Sequence, residues 1–342
     1  MRILIIGGTV FVGRHITEAA IAAGHDVTVF HRGRSGADLF PGITHLAGDR
    51  NTDLSALTDA GLADGQWDVT IDVCAYFPRQ VRTLAEALGG RGGRYIYISS
   101  TSAYKSPVSP GFDEDAPLAE LADPATEEIT DQTYGPLKVA CERLAAELFG
   151  ADQTTIVRPT YVVGPHDVSY RFTWWVERIA YGGHVLAPGP KDGPIQVIDA
   201  RDLGRWIVSL AERAVRGTFH AASPPPPFSF ADMLEAIVAE VAPPSTRLIW
   251  VDPDFLLEFG ETAETLPLWP GGDPESDINT ADPSRAYAAG LTPRPLAETI
   301  AELHAAELDA PTLPRPGVGL TAEREAELLA AWRAIEAAGP GV

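Results

Sequence analysis

Residues Arg2 to Ile6 read RILII and run straight into Gly7-Gly8-Thr9-Val10-Phe11-Val12-Gly13, after which apolar side chains recur at helical spacing as far as Ala23. A short run that is apolar at every position suits a strand covered on both faces, as in a parallel sheet. Glycines in the turn let the backbone approach a ligand. The following helix offers free N–H groups and the positive end of its dipole to an anion. Strand, glycine turn and helix in this order predict a dinucleotide site, with Gly7, Gly8, Thr9, Phe11, Val12 and Gly13 around the pyrophosphate. The pattern departs from the common three-glycine form at one place, where Val10 stands for the middle glycine.

The alternation continues along the chain. Asp26–Phe30 (DVTVF), Ile43–Leu46, Trp67–Cys74, Arg94–Ser99 and Thr154–Val157 read as strands, with helices expected at about Pro78 to Leu88 and Tyr134 to Leu148. Strands alternating with helices imply an α/β fold with a doubly wound parallel sheet of Rossmann type. After Gly164 the pattern becomes irregular and proline-rich, notably at Pro224 to Pro227. An amphipathic helix is expected over Phe228 to Val241 with Ser229 as its N-cap, and a last helix over Thr321 to Ala338 that opens with Glu323 and Glu325. The Pro/Gly-rich stretch Ala310 to Gly319 reads as a linker. The expected organisation is a Rossmann domain over 1–165, with segments near 195–222 returning to it, and a smaller substrate-binding lobe with C-terminal helices over 166–342. A chain of 342 residues is long enough for both.

Charge narrows the partners. A net charge of -21 argues against nucleic acid, whose phosphates are held by exposed Lys and Arg, and against an anionic membrane surface. A small-molecule substrate is expected instead. The two cysteines, Cys74 and Cys141, have no metal-ligand spacing and read as reduced thiols, so no metal site is expected. No charged n-region precedes the first strand and no apolar run approaches the ~20 residues that span a bilayer, which makes the cytoplasm the expected compartment.

The end of the second strand bears on the choice of dinucleotide. NAD sites commonly place an acid there for the ribose 2′-OH. This chain has His31, Arg32, Gly33 and Arg34 instead, and cationic side chains suit a 2′-phosphate. NADP(H) is therefore favoured over NAD(H), the alternative being a solvated basic loop. After the third strand, Asp49 could accept from the adenine amine or be a plain turn aspartate; Arg50 beside it is a further cofactor candidate.

Tyr134 and Lys138 form Y-x-x-x-K and share one face of a helix. Pro136 between them is expected to place Tyr134 at the helix entrance, in the first turn. A phenol beside an ammonium ion ionises more easily, which suits a general acid/base acting on an alcohol or carbonyl. Ser99-Ser100-Thr101 at the end of a preceding strand could hydrogen-bond the same substrate oxygen.

With GGTVFVG at 7–13, GD at 48–49, DVC at 72–74, ISSTSAY at 98–104, YGPLK at 134–138, VRPTYVVGP at 157–165 and VIDARDL at 197–203, the chain resembles an extended short-chain dehydrogenase/reductase of the NAD-dependent epimerase/dehydratase family. The resemblance covers roughly residues 1 to 240. It implies Tyr134 as acid/base and Lys138 on the nicotinamide ribose. It also implies Ser100 as the assisting hydroxyl, with Thr101 as the near alternative. Cys74 and Ala75 would lie along the cofactor, with Pro159, Thr160 and Tyr161 passing the nicotinamide. A homodimer is implied as well.

The departures weaken a nucleotide-sugar reading. Tyr161 occupies the place of a common Asn, and Pro194-Ile195 the place of a common Arg. Val10 resembles the divergent, reductase-like and RNA-binding-like branches. Substrate candidates are Thr101, His166, Arg171, Trp174 and Trp175; the tryptophans could equally be core residues, and His166 a loop histidine. Three functions follow. The leading one is an NAD(P)(H)-dependent oxidoreductase that moves a hydride between nicotinamide and a carbonyl or alcohol. The alternative is an NAD-dependent epimerase or dehydratase of a nucleotide sugar. The third is a non-enzymatic RNA-binding relative.

Overall fold

The structure is a computed structural model that describes residues 1–36, 38–58, 66–272, 276–309 and 317–338. Most of the stretch expected to be a linker lies outside these residues. The chain forms two compact units. One combines Met1–Val162, Val197–Pro225 and Ala281–Pro293; the other combines Val163–Gln196, Pro226–Thr280 and Arg294–Val342. Among the described residues no helix is long and apolar enough to cross a membrane.

The first unit is built on a seven-stranded sheet. Its strands are β1 (Arg2–Ile6), β2 (Asp26–His31), β3 (Thr44–Ala47), β4 (Val69–Asp72), β5 (Arg94–Ile98), β6 (Thr154–Pro159) and β7 (Gly217–Ala221). They lie in the order β7-β6-β5-β4-β1-β2-β3, with every neighbouring pair parallel. The order reverses at β1, and ligands of such sheets bind beyond the carboxyl ends of the strands at that reversal.

Both faces of the sheet are covered. Helices α1 (Phe11–Ala22), α2 (Pro78–Leu88), α3 (Asp131–Phe149) and α4 (Ala200–Glu212) supply the layers. Alternate residues of β1 divide between two cores. Ile3 and Ile5 join Ile16, Leu203 and Trp206 on one side, while Leu4 and Ile6 join Val81, Leu84, Tyr97 and Leu144 on the other. The continuous apolar run of β1 is thus the signature of a strand buried twice.

Helix α3 begins earlier than Pro136 suggested. Thr130 caps it, its hydroxyl accepting from Thr133 N at 3.2 Å while Thr133 Oγ1 accepts from Thr130 N at 2.8 Å. This cap satisfies the first amides three residues ahead of Tyr134, so Pro136 sits inside the helix rather than in its first turn.

The second unit is described on its own. It contains helices Arg171–Tyr181, Phe230–Val241, Leu296–Asp309 and Ala322–Ala338, and a parallel pair of strands, His184–Pro188 with Arg247–Val251. The helix at Phe230–Val241 opens on the expected cap, Ser229 Oγ accepting from Asp232 N at 3.1 Å. Glu325 ties the last helix down, accepting from Arg178 Nε at 2.6 Å and from Leu186 N at 2.8 Å.

Candidate active site

The glycine loop leaves β1 through Gly7, whose φ of +89° lies in the left-handed region that favours glycine. A Cβ on Gly13 would sit 2.0 Å from the Gly7 carbonyl oxygen, so only glycine lets α1 start this close to the loop. Gly8 has a packing role, since a Cβ there would meet Thr17 Oγ1 at 2.6 Å. The Thr17 hydroxyl stands 2.9 Å from the carbonyls of Gly8 and Gly13 and cross-links the loop to the helix. Val10 is the N-cap of α1 and has extended backbone, φ −127°, which any residue adopts. This explains why a middle glycine is dispensable here. Val10 has no polar side chain with which to cap the first turn of α1, and an anion could take the place of such a cap. Val12 packs on the core, while Phe11 takes a φ of +36° and sets its ring edge-on to His15.

A cavity of about 360 Å³ opens at this loop. Of the residues expected around the cofactor, Gly7, Thr9, His31, Arg32, Arg34, Asp49, Arg50 and Cys74 line it, joined by Val10, Ser35, Asn51, Tyr76 and Gln80. Arg32 and Arg34 are exposed on its rim. The Asp49 carboxylate accepts from Asn51 N and Nδ2 at 3.0 and 3.1 Å. Those bonds, with the charges of Arg32 and Arg34, hold its pKa below the usual range.

Two expected cofactor ligands are otherwise engaged. His31 is buried, and both ring nitrogens are occupied: Nδ1 accepts from Gly33 N at 3.0 Å and Nε2 meets His45 Nδ1 at 2.9 Å. Burial first, then His45, lowers its pKa, so it is a neutral ring rather than a third cation on the rim. Arg50 is also buried. It holds Asp72 by Nη1–Oδ1 at 2.7 Å and Nη2–Oδ2 at 2.9 Å, and it reaches the Gln80 carbonyl at 3.2 Å. Asp72 also accepts from the Tyr95 hydroxyl at 2.7 Å and from Cys74 N at 3.2 Å. Burial raises the pKa of the Cys74 thiol despite Arg50 nearby, which leaves it a poor nucleophile.

The tyrosine–lysine pair stands behind Tyr76, outside the lining of the cavity. Lys138 is buried, and its Nζ donates to the carbonyls of Ala75 at 3.1 Å and Ile98 at 2.9 Å. Its third N–H has no acceptor among the described residues. The ammonium lies 5.0 Å from the ring centre of Tyr76, 4.8 Å from Tyr97 and 6.0 Å from Tyr134. Burial pulls its pKa down. Tyr76 bridges the two halves of the site, since it lines the cavity and its ring centre is 6.4 Å from that of Tyr134.

Gly135 explains how α3 reaches the end of β5. A Cβ on it would stand 1.8 Å from the Ser102 carbonyl oxygen, so α3 is in direct backbone contact with the turn that follows Ser100. Ser100 is half-buried and caps that turn, its hydroxyl accepting from Ser102 N at 3.1 Å. Thr101 is buried and its hydroxyl faces the Pro159 carbonyl at 3.4 Å, whereas the half-buried Ser100 hydroxyl donates to Ser102 Oγ at 3.1 Å. Thr160 is likewise buried, bonded through its backbone N to the Ala221 carbonyl at 3.2 Å; Tyr161 is half-buried.

The remaining substrate candidates lie in the second unit. Trp175 is fully buried, with Nε1 donating to the Pro267 carbonyl at 2.5 Å and its ring edge-on to Phe230. Trp174 is only 8% exposed, so both indoles belong to the core of that unit. His166 adopts a left-handed φ of +69°, and Arg171 Nε reaches Ser169 Oγ at 3.3 Å. Among the described residues no cluster of His, Cys, Asp and Glu is placed to hold a metal ion.

Tyr76, Asn51 and Gln80 were not legible as site residues. Gln80 Nε2 donates to Asn51 Oδ1 at 2.8 Å, and its Oε1 accepts from Tyr76 N at 2.8 Å, so α2 sets the wall opposite the glycine loop. In the sequence only the Pro78 helix start hinted at that contact.

Comparison with known proteins bears on the family and the fold. The chloroplast stem-loop binding protein of 41 kDa b from Arabidopsis thaliana is 30% identical over 235 residues, which is 64% of this chain and 58% of that relative. The chain therefore spans less than two thirds of the relative's length. Among solved structures, a Burkholderia cenocepacia J2315 protein assigned as an epimerase is 23% identical with a TM-score of 0.68, covering 90% of this chain and 98% of that one. The UDP-glucose 4-epimerase of Thermotoga maritima with UDP-glucose is 16% identical with a TM-score of 0.67, covering 90% and 99%. The UDP-glucuronic acid 4-epimerase of Bacillus cereus in complex with NAD is 16% identical with a TM-score of 0.63, covering 92% and 99%. At these identities the structures share the fold. Residues 3–221 match the NAD dependent epimerase/dehydratase family, and the chain belongs to it.

Proposed function

We propose that this protein is an NADP(H)-dependent enzyme that interconverts an alcohol and a carbonyl, with Tyr134 as the proton carrier. The observation that carries the reading is the placement of Lys138. Two main-chain carbonyls fix its ammonium among aromatic rings, its third N–H has no acceptor among the described residues, and Tyr134 lies one helical turn away, beside the Tyr76 ring that lines the glycine-loop cavity. The residues fit a dinucleotide. The uncapped first turn of α1 suits a pyrophosphate, and the free Lys138 N–H suits a ribose hydroxyl. When bound, that cofactor would supply the acceptor or donor of a hydride.

The chain's own residues handle the proton and the charge. Tyr134 gives its phenolic proton to a carbonyl oxygen or takes one from an alcohol, and Ser100 donates a hydrogen bond to the same oxygen. Lys138 stabilises the phenolate form of Tyr134 and orients the ribose. Arg32 and Arg34 form the cationic rim at the place where NAD sites carry an acid, and they support the phosphorylated cofactor.

A second reading has the broader support from the comparisons. The family includes epimerases and dehydratases, and the two neighbours from Thermotoga maritima and Bacillus cereus are a UDP-glucose and a UDP-glucuronic acid 4-epimerase. In that reading the substrate is oxidised and reduced again within one turnover. Denaturing the purified protein and identifying the released nucleotide separates the two. Stoichiometric NAD favours the cyclic reaction, and exchangeable NADP the net one. The Arabidopsis relative's name raises a third reading, RNA binding; the net charge of -21 opposes it, and a gel shift at physiological salt tests it. Tyr134→Phe tests the site itself: on any substrate that the wild type turns over, the rate should fall by ~10²-fold or more. Turnover within a fewfold of wild type would sink the assignment.

A further inference from the structure

We propose that His31 and His45 act together as a positioning device for the basic rim, so that discrimination for a phosphorylated dinucleotide depends on the hydrogen bonds that link the two imidazoles to the backbone of that rim. The inference rests on the NADP(H) reading above.

The hydrogen bonds run in one direction. Gly33 N can only donate, so His31 Nδ1 accepts from it at 3.0 Å and carries no proton. The single hydrogen of neutral His31 is therefore on Nε2, where it is donated to His45 Nδ1 at 2.9 Å. His45 must then carry its own hydrogen on Nε2, which points it at the Phe40 carbonyl oxygen at 3.2 Å. Each step fixes the next, and both rings have to be neutral. An added proton would fall on one of the two Nδ1 atoms and set a donor against a donor.

One end of the relay is at the rim, on Gly33, and the other is on the Phe40 carbonyl. Gly33 lies between Arg32 and Arg34, has a φ of +70°, and, its two chain neighbours aside, has no atom of the described residues within 4 Å of the place where a Cβ would stand. The hydrogen bond to His31 ties its backbone to the end of β2. Phe40 holds a φ of +60°, a left-handed conformation that is uncommon for a phenylalanine and needs support from its surroundings. His31 and His45 are anchored in the paired strands β2 and β3, which brace the device on the sheet.

The test uses dissociation constants for NADP and NAD, measured by calorimetry at about pH 8, where free imidazole is neutral. The proteins compared are wild type, His45→Phe, the pair Arg32→Ala with Arg34→Ala, and all three substitutions together. His45→Phe keeps a ring of similar shape but can neither accept from His31 nor donate to Phe40. Its preference for NADP should fall by about tenfold, a difference of ~1.4 kcal/mol, while NAD binding stays within about twofold. The triple variant should lose no more preference than the arginine pair, because the relay acts only through those arginines. If wild type shows no preference for NADP, the cofactor reading fails and this proposal with it. If wild type prefers NADP but His45→Phe keeps the preference, or weakens both nucleotides alike, the relay alone is overturned. A further loss in the triple variant also overturns it. Should His45→Phe not fold, ¹⁵N spectra of the wild-type histidines decide. Both rings are expected as Nε2–H tautomers, and an Nδ1–H tautomer or an imidazolium at either refutes the relay.

Discussion

Arg50 grips Asp72 with both ends of its guanidinium, 2.7 Å from Nη1 to Oδ1 and 2.9 Å from Nη2 to Oδ2, in the wall of the cavity that the glycine loop opens. Removing one charge would leave the other buried and unpaired. Asp72→Asn should therefore destabilise the protein by about 3–5 kcal/mol, measured by urea unfolding at neutral pH. Burial alone would raise the Asp72 pKa, but Arg50 and the hydrogen bonds to the carboxylate bring it below the usual value of 3.8. Its stabilising effect is thus complete above the unfolded value and is lost as the pH falls through the folded one. That acid loss should disappear in Asp72→Asn.

Gly135 predicts a sharper geometric failure. In Gly135→Ala the new methyl group would overlap the Ser102 carbonyl oxygen, forcing α3 away from the turn behind Ser100. Overpacking of this kind costs about 1–3 kcal/mol, and more when backbone must move. The expected result is a lowered melting temperature together with a loss of turnover larger than the loss of cofactor affinity. Unchanged turnover would mean that Tyr134 and Ser100 do not act as a pair.

Tyr76 offers its ring face to the Lys138 ammonium at 5.0 Å. A cation–π contact of about 0.5–2 kcal/mol is kept in Tyr76→Phe and lost in Tyr76→Leu. Dinucleotide affinity should change little in the first and fall several-fold in the second. Equal losses would show that the hydroxyl, rather than the ring face, matters.

His220 carries a pH signature of its own. Its Nδ1 donates to the Asp282 carbonyl at 3.0 Å, so its Nε2 accepts from the Tyr104 hydroxyl, which in turn accepts from Arg158 Nη1. Glu114 takes the His220 backbone N–H at 2.9 Å and faces Arg285, while Glu142 pairs with Arg158. Burial, with the charge of Arg158 adding to it, lowers the His220 pKa from 6.5 to about 4. Between those values the unfolded chain binds a proton that the folded one refuses, so stability drops as the pH falls from 6.5 towards 4. The drop should approach ~3 kcal/mol in urea midpoints converted to free energy, and His220→Gln should lack it.

The parts of this molecule that follow from local pattern were readable in the sequence, and those set by distant partners were not. The apolar run of β1, the Ser229 cap and the glycine spacing each express a rule that acts over a few residues. His31 looked like a cation because its neighbours are arginines, yet its protonation is decided by burial and by His45 on another strand. Arg50 was counted toward the cofactor because it follows Asp49; the acid that engages it lies 22 positions away. Pro136 misplaced the start of α3 because its missing amide was weighed without the Thr130–Thr133 cap. The two tryptophans were open to a substrate or a core reading, and the second unit closes around them.

The chain visits the first unit three times, through Met1–Val162, Val197–Pro225 and Ala281–Pro293, and β7 arrives only on the second visit. During synthesis β6 must therefore wait with an unpaired edge, Thr155 to Pro159 exposing the backbone groups that Gly217 to Ala221 will later match. Arg158 waits as well, since the histidine that completes its buried network is on that late strand. A ribosome that paused after residue 162 would hold a domain with a nearly finished glycine loop and an adhesive side. Where this gene is cut or fused thus matters far beyond the residues removed, and fragments ending before β7 are the ones to expect in inclusion bodies.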